Sequence, residues 1–167
     1  MTTIQCSTFD DVDVCHTLLQ ECGEHLVSLG VFQWDSNYPD LETINQDVLN
    51  GEVFKLIVEN RVLGCITLNE KQHPTYQTID WSYHGKIGTV HRLGIHPQHQ
   101  GNGYARQLMD FAEDWFLQAK FDAIRLDTYS LNHRNCKFYQ SRGYQYTGQV
   151  HLREVGEPFN CYELKLR

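Results

Sequence analysis

His96-Pro97-Gln98-His99-Gln100-Gly101-Asn102-Gly103-Tyr104-Ala105-Arg106 decides how this chain is read, because a glycine-rich turn stands between a strand-like run and a helix-like run. The preceding Gly88 to Ile95 alternates as a strand does. The segment after the turn places Ala105, Leu108, Ala112, Trp115 or Phe116, and Ala119 on one helical stripe. Gly101 and Gly103 therefore fall at a helix N-terminus, where the first backbone N–H groups lack intrahelical partners and the macrodipole is positive. Such a turn holds a diphosphate by backbone alone if no Cβ blocks the approach, and glycine has none. Spacing excludes two kinds of phosphate loop. No Gly-Lys-Ser/Thr ending follows, and Arg106 stands where a dinucleotide fingerprint has its third small residue.

Composition narrows the class. At 167 residues the chain is expected to form one domain over 1–167, long enough to bury about 70% of the surface its unfolded form exposes. A net charge of −7, with only 14 Lys and Arg, argues against nucleic acid or an anionic membrane as the main partner. The acidic surface suits a cationic partner or serves solubility alone. Cys6, Cys15, Cys22, Cys65, Cys136 and Cys161 are scattered without a Cys-x-x-Cys pair, and Met1 to Ser7 lacks the basic start and apolar core of a signal peptide. Reduced thiols in a cytoplasmic protein are the expectation. No apolar run approaches the roughly 20 residues that cross a bilayer. His84, His91, His96 and His99 form no helical i, i+4 pair and have no Cys partners at zinc spacing, so no metal site is expected.

Along the chain, helix and strand patterns alternate without repeat or linker. A first strand near Thr3 to Cys6 precedes a helix capped by Asp10 or Asp11. That helix carries Val14, Leu18, Cys22, Leu26 and Leu29 on its apolar stripe and ends at Gly30. A turn region with Trp34, Tyr38 and Pro39 leads to a short helix, Leu41 to Leu49, closed by Asn50-Gly51. Strands Val53 to Val58 and Val62 to Leu68 are joined by a tight turn at Glu59-Asn60-Arg61. After a weakly patterned stretch, 69–86, come a strand at 88–95, a helix at 102–119, and a strand from Ala123 to Thr128. A helix at 132–142, a strand from Tyr144 to Val150 and a last strand from Cys161 to Leu166 complete the order.

Gln100-Gly101-Asn102-Gly103-Tyr104-Ala105 resembles the Gln/Arg-x-x-Gly-x-Gly/Ala signature of the GNAT superfamily of N-acetyltransferases. Downstream, Asn132 followed by Tyr139, Gly143 and Tyr144 is similar to that family's second signature, and Leu93-Gly94-Ile95-His96-Pro97 to its strand-ending Leu-x-Val-x-Pro. The resemblance is firm from about Val90 to Tyr146. It implies an α/β (α+β) fold: a mixed, mostly antiparallel central sheet of about six or seven strands, flanked by about four helices, with two strands splaying apart at the cofactor. It also implies transfer of the acetyl group of acetyl-CoA to a primary amine. The competing reading is a non-catalytic acyl-CoA-binding module, against which retention of Tyr139 speaks.

The resemblance assigns roles residue by residue. A backbone N–H on Leu93 to Ile95 would meet the developing oxyanion, with neighbouring groups pairing the pantetheine amides and Gly94 keeping that edge open. Backbone N–H groups of Gly101, Asn102, Gly103, Tyr104 and Ala105 would take the pyrophosphate, helped by Gln100 and Arg106. Asn132 resembles the residue that contacts the cofactor arm, and it also suits an N-cap. Arg134 and Lys137 fall near the expected adenosine end or are simply solvated. Tyr139 would protonate the leaving thiolate, its pKa near 10 suiting a late acid, unless it is only core. Cys136 lies out of helical phase with Asn135 and Tyr139, which favours direct transfer over a cysteine-linked intermediate.

The base is not fixed by the resemblance. Strict alternation would put Thr89, His91, Leu93 and Ile95 on one face, making His91 a proton acceptor, directly or through water; a structural His91 remains open, and Asp80 and Glu70 are weaker candidates. Acceptor contacts are expected from Trp34, Asp35 and Tyr38 in the Phe32 to Pro39 segment. Trp81 and Tyr83 would form a second wall, and His151 to Asn160 a rim. These aromatics packing onto the sheet is the other reading. A peptide N-terminus, polyamine, amino sugar, antibiotic or amino acid all stay open as the small-molecule or peptide acceptor. Many members of the family pair as homodimers, an expectation that no residue of this chain carries by itself.

Overall fold

Glu59 (φ 49°) and Asn60 (φ 61°) both adopt left-handed backbone, the geometry of a two-residue hairpin turn that matches strand twist. They join β2 (Val53–Val58) to β3 (Arg61–Asn69). This is a computed structural model, which describes residues 1–153 and 156–167. Among the described residues the remaining strands are β1 (Thr2–Cys6), β4 (Ile87–Ile95), β5 (Ala123–Tyr129), β6 (Gln145–Val150) and β7 (Phe159–Lys165). The helices are α1 (Val12–Ser28), α2 (Leu41–Leu49), α3 (Tyr104–Gln118) and α4 (His133–Ser141). Asp40 caps α2 by accepting from the Thr43 N–H at 2.8 Å, and Asn132 caps α4 by accepting from the Asn135 N–H at 3.1 Å. At the start of α3, Gly103 provides no such cap.

The seven strands form one sheet in the order β1-β2-β3-β4-β5-β7-β6. Among the described residues its only parallel neighbours are β4 and β5, and they pair only over Ile87–Thr89 with Ala123–Arg125. Beyond that point both strands continue, to Ile95 and Tyr129, without pairing each other. The sheet is therefore split, and backbone groups on the facing edges are left for a ligand. The main core lies between the sheet and α3 with α4, built on Leu56, Ile66, Leu108, Met109, Ala112, Phe116 and Ile124. A second core joins α1 and α2 to the sheet through Val12, Cys15, Leu18, Leu19, Ile44, Val48 and Trp34.

Two expectations are corrected. The buried stripe of α1 is Val12, Cys15, Leu18, Leu19 and Cys22, while Val14 is 40% and Leu29 62% exposed. The strand β4 does not alternate to its end. Thr67 pairs with His91 but Cys65 with Gly94, so β4 holds one extra residue opposite β3, and Arg92 takes φ 49° there, which marks a bulge. Val90 before it and Leu93 and Ile95 after it all pack on the α3 side. His91 therefore does not share a face with Leu93 and Ile95.

Candidate active site

The loop 96–103 brings α3 to the open end of the split. Gly101 (φ 85°) and Gly103 (φ 79°) are left-handed, and a Cβ built on either meets nothing within 4 Å. The glycines are thus required by backbone conformation, and the space above them stays free. Among the described residues, the backbone N–H groups of Gly101 to Ala105 find no acceptor. Unpartnered amides at a positive helix end are what an anionic diphosphate needs. Arg134 donates to Gln100 Oε1 at 3.0 Å, so the two signatures, far apart in sequence, meet across this groove.

The groove has a volume of about 590 Å³ and is lined by Leu93, Gly94 and Ile95 of β4, by Gln100, Gly101, Gly103, Tyr104, Ala105 and Arg106, and by Asn132 and Arg134 of the α4 start. Leu26 and Leu29, expected on the core stripe of α1, line it too, along with Cys22. The Cys22 thiol donates to the Ile95 carbonyl at 3.1 Å, and burial pushes its pKa up to about 12. Gly94 serves close packing rather than an open edge: a Cβ there would lie 2.7 Å from Leu19 Cδ2, so α1 could not approach β4. Asn132 also donates to Gln33 Oε1 at 2.8 Å.

A second cavity, of about 440 Å³, opens on the other side of the split. It shares Gln33, Trp34, Leu93 and Asn135 with the groove and continues to Tyr38, Tyr76, His91, Arg92, Asp127, Tyr139, Leu152 and Arg153. Tyr139 reaches it from α4. Its hydroxyl makes no hydrogen bond among the described residues, and burial, then the Asp127 charge, raises its pKa. The phenol stays protonated at neutral pH and its proton is unshared.

His91 enters the same cavity with its Nε2 2.9 Å from Asn69 Oδ1 and 3.0 Å from the Lys71 carbonyl. Asn69 is oriented by donating to Glu52 Oε2 at 3.0 Å and accepting from the Lys71 N–H at 3.0 Å, so both neighbours of Nε2 are acceptors and Nε2 carries the proton. Burial, reinforced by the Arg92 charge, lowers the pKa to about 3. A ring this weakly basic is a poor proton acceptor near neutrality.

Four of the expected residues keep their side chains out of both cavities, although the Asn102 backbone N–H stays unpartnered among the described residues. Asn102 ties its own turn, donating to the His99 carbonyl at 2.9 Å. Lys137 sits on the exposed face of α4. Asp35 is exposed and accepts from the Asn37 N–H at 2.8 Å. Trp81 packs behind the wall, its indole N–H donating to the Tyr76 carbonyl at 2.9 Å. Tyr83, Asp80, Glu70 and Cys136 line neither cavity. The expected rim, 151–160, contributes Leu152, Arg153 and Phe159, and its residues 154 and 155 lie outside the described residues.

Sequence reasoning missed Asp127, Arg92 and Arg153. Asp127 accepts from the Tyr76 hydroxyl at 2.5 Å. Burial raises its pKa, partly offset by that bond and by Arg153, His73 and Arg92. A signal for it existed: a carboxylate between Leu126 and Thr128, in a strand otherwise buried, marks a cavity. Arg92 is fixed by an ion pair with Asp47 and by donating to the Tyr38 hydroxyl at 3.0 Å. Among the described residues no group of three His, Cys, Asp or Glu side chains is arranged for a metal ion, and no helix is long and apolar enough to cross a membrane.

A family model described as the acetyltransferase (GNAT) family matches residues 15–144. Among solved structures, the chain is similar to a GNAT-family acetyltransferase from Streptococcus agalactiae, with 22% identity, 98% of this chain and 95% of that one covered, and a TM-score of 0.83. It is also similar to YncA of Salmonella typhimurium, solved with its cofactor acetyl-CoA, at 16% identity, 100% and 95% coverage and a TM-score of 0.74. A third is the ribosomal-protein alanine N-acetyltransferase of Escherichia coli, at 14% identity, 99% and 94% coverage and a TM-score of 0.73. At these identities the likeness is one of fold. No curated protein sequence matches the chain.

Proposed function

Because the chain belongs to the acetyltransferase (GNAT) family, we propose that it transfers the acetyl group of acetyl-CoA to a primary amine by direct attack in a ternary complex. The observation that carries this reading is the pair of cavities meeting at Gln33, Trp34, Leu93 and Asn135 beside the β4–β5 split. One has the chemistry for a diphosphate and an extended amide-bearing arm, the other for a small polar acceptor. Acetyl-CoA fits the first: five free amides for the pyrophosphate, the unpaired β4 edge for the pantetheine, and Gln100, Arg106, Asn132 and Arg134 around them.

Each residue then has a part. Backbone N–H groups at the β4 bulge stabilise the oxyanion that develops on the thioester carbonyl. Asp127, with its raised proton affinity, takes one proton from the bound ammonium and leaves a neutral nitrogen to attack. As the carbon–sulfur bond breaks, Tyr139 gives its proton to the sulfur and recovers one from the nitrogen, so the products are the amide and free CoA thiol. His91, neutral and hydrogen-bonded, holds the Lys71 carbonyl and Asn69 in place.

The test is release of CoA thiol from acetyl-CoA over a panel of amines, compared with Tyr139→Phe. Saturable release that falls about 100-fold in the variant supports the reading. Tight CoA binding without release on a broad panel would instead identify a binding module.

A further inference from the structure

The net charge of the chain suggests a cationic acceptor, but the acceptor cavity has the opposite local balance. Among the described residues its lining includes Lys71, Arg92 and Arg153 against one carboxylate, Asp127. Lys71 pairs with Glu52 at 3.0 Å and Arg92 with Asp47, so both charges are compensated from outside the cavity. Arg153 is held differently. Its Nη2 donates to the Gln33 carbonyl at 2.7 Å, and its guanidinium lies 4.0 Å over the Tyr38 ring. Among the described residues no carboxylate lies within ion-pair distance of it. The group is positioned, but its charge and most of its five donors remain available.

Asp127 shows the complementary state. It lines the cavity, its Oδ2 accepts from Tyr76, and no other side-chain hydrogen bond reaches its carboxylate among the described residues. One cavity thus presents an available anion and an available cation. The same cavity is lined by the apolar Trp34, Leu152 and Phe159, each less than 8% exposed. A volume of about 440 Å³ is that of a small-molecule site. A polyamine would bring a second positive charge against Arg153 and Arg92.

We infer that the acceptor is a free α-amino acid with an apolar side chain, its ammonium directed to Asp127 and its carboxylate to Arg153. The inference rests on the reading of the site as an amine acetyltransferase. In the reaction the amide forms on the α-nitrogen, the carbon–sulfur bond of the thioester breaks, and the carboxylate is a spectator that fixes orientation.

The probe is L-leucine, compared with leucinamide and isoamylamine as acceptors. Leucinamide is less basic than leucine and isoamylamine more basic, so kcat/KM is referred to the unprotonated amine in each case, and a preference for leucine then cannot come from nucleophile availability. The expected result is a kcat/KM for leucine about 10- to 100-fold above both analogues, the worth of one charge-assisted contact. Arg153→Met should bring the ratio near one, and Arg153→Lys should retain part of it. Equal or better use of the analogues by the parent protein overturns the inference while leaving acetyl transfer intact. If none of the three is turned over, calorimetry of L-leucine against the CoA-loaded protein decides. Saturable binding lost in Arg153→Met upholds the inference and counts against acetyl transfer alone; absence of binding overturns the inference.

Discussion

Tyr139 and His91 face one cavity with opposite proton chemistry, and each gives a measurable consequence. The Tyr139 hydroxyl is a donor without a partner among the described residues, so Tyr139→Phe removes a proton and little packing. Steady-state kinetics should show kcat falling about 100-fold with the KM for acetyl-CoA nearly unchanged; an equal rise in KM would place the phenol in ground-state binding instead. His91 is half-buried and neutral, with a pKa lowered to about 3. Between about pH 6.5 and 3 the unfolded chain binds a proton there that the folded chain does not, so stability falls as pH drops through that window. The expected loss between pH 7 and pH 5 is about 2 kcal/mol from this residue. Urea unfolding of the parent and His91→Asn at both pH values checks it: the variant should lose less on acidification. A parallel loss in both would mean that the imidazole titrates normally.

At the scale of elements, the turn before α3 is the part on which binding depends. Gly103 is left-handed at the helix start, and an L-residue there costs about 1–2 kcal/mol. Gly103→Ala should therefore weaken coenzyme A binding by about tenfold, read by calorimetry, with the fold retained. This element was legible in the sequence because glycine spacing reports backbone conformation directly. The Glu59-Asn60 turn and the Asn50-Gly51 end of α2 were legible as well, whereas the Asp40 cap of α2 was not read from the sequence. What sequence did not disclose depends on packing between elements. The stripe of α1 is rotated because Gly94 lets Leu19 and Cys22 seat against β4 and Trp34 packs over Gly23, while Leu26 and Leu29 turn to the groove. The bulge at Arg92 puts a non-glycine residue at positive φ, held by Asp47 and Tyr38 from other segments, and no local pattern announces it. Asp127 and Arg153 come from a strand and a loop that converge only in the folded chain.

For the molecule as a whole, the main core between the sheet and α3 supports the split. Leu108 is fully buried and its Cδ1 lies 3.1 Å from the position a Cβ on Gly64 would take, so α3 is seated closely on β3 and β4. Leu108→Ala should cost about 2–5 kcal/mol in denaturant unfolding, and a cost below about 1 kcal/mol would mean that the helix readjusts. The split itself is the central claim: β4 and β5 part after Thr89 and Arg125, and the exposed edge with the amides of residues 101–105 forms one continuous site. A crystal structure with coenzyme A bound tests this most directly. The account predicts diphosphate oxygens within hydrogen-bond distance of the Gly101 to Ala105 amides, the pantetheine along β4, and the thiol beside Leu93 and Tyr139. Coenzyme A bound elsewhere, or β4 and β5 paired along their full length, would contradict it.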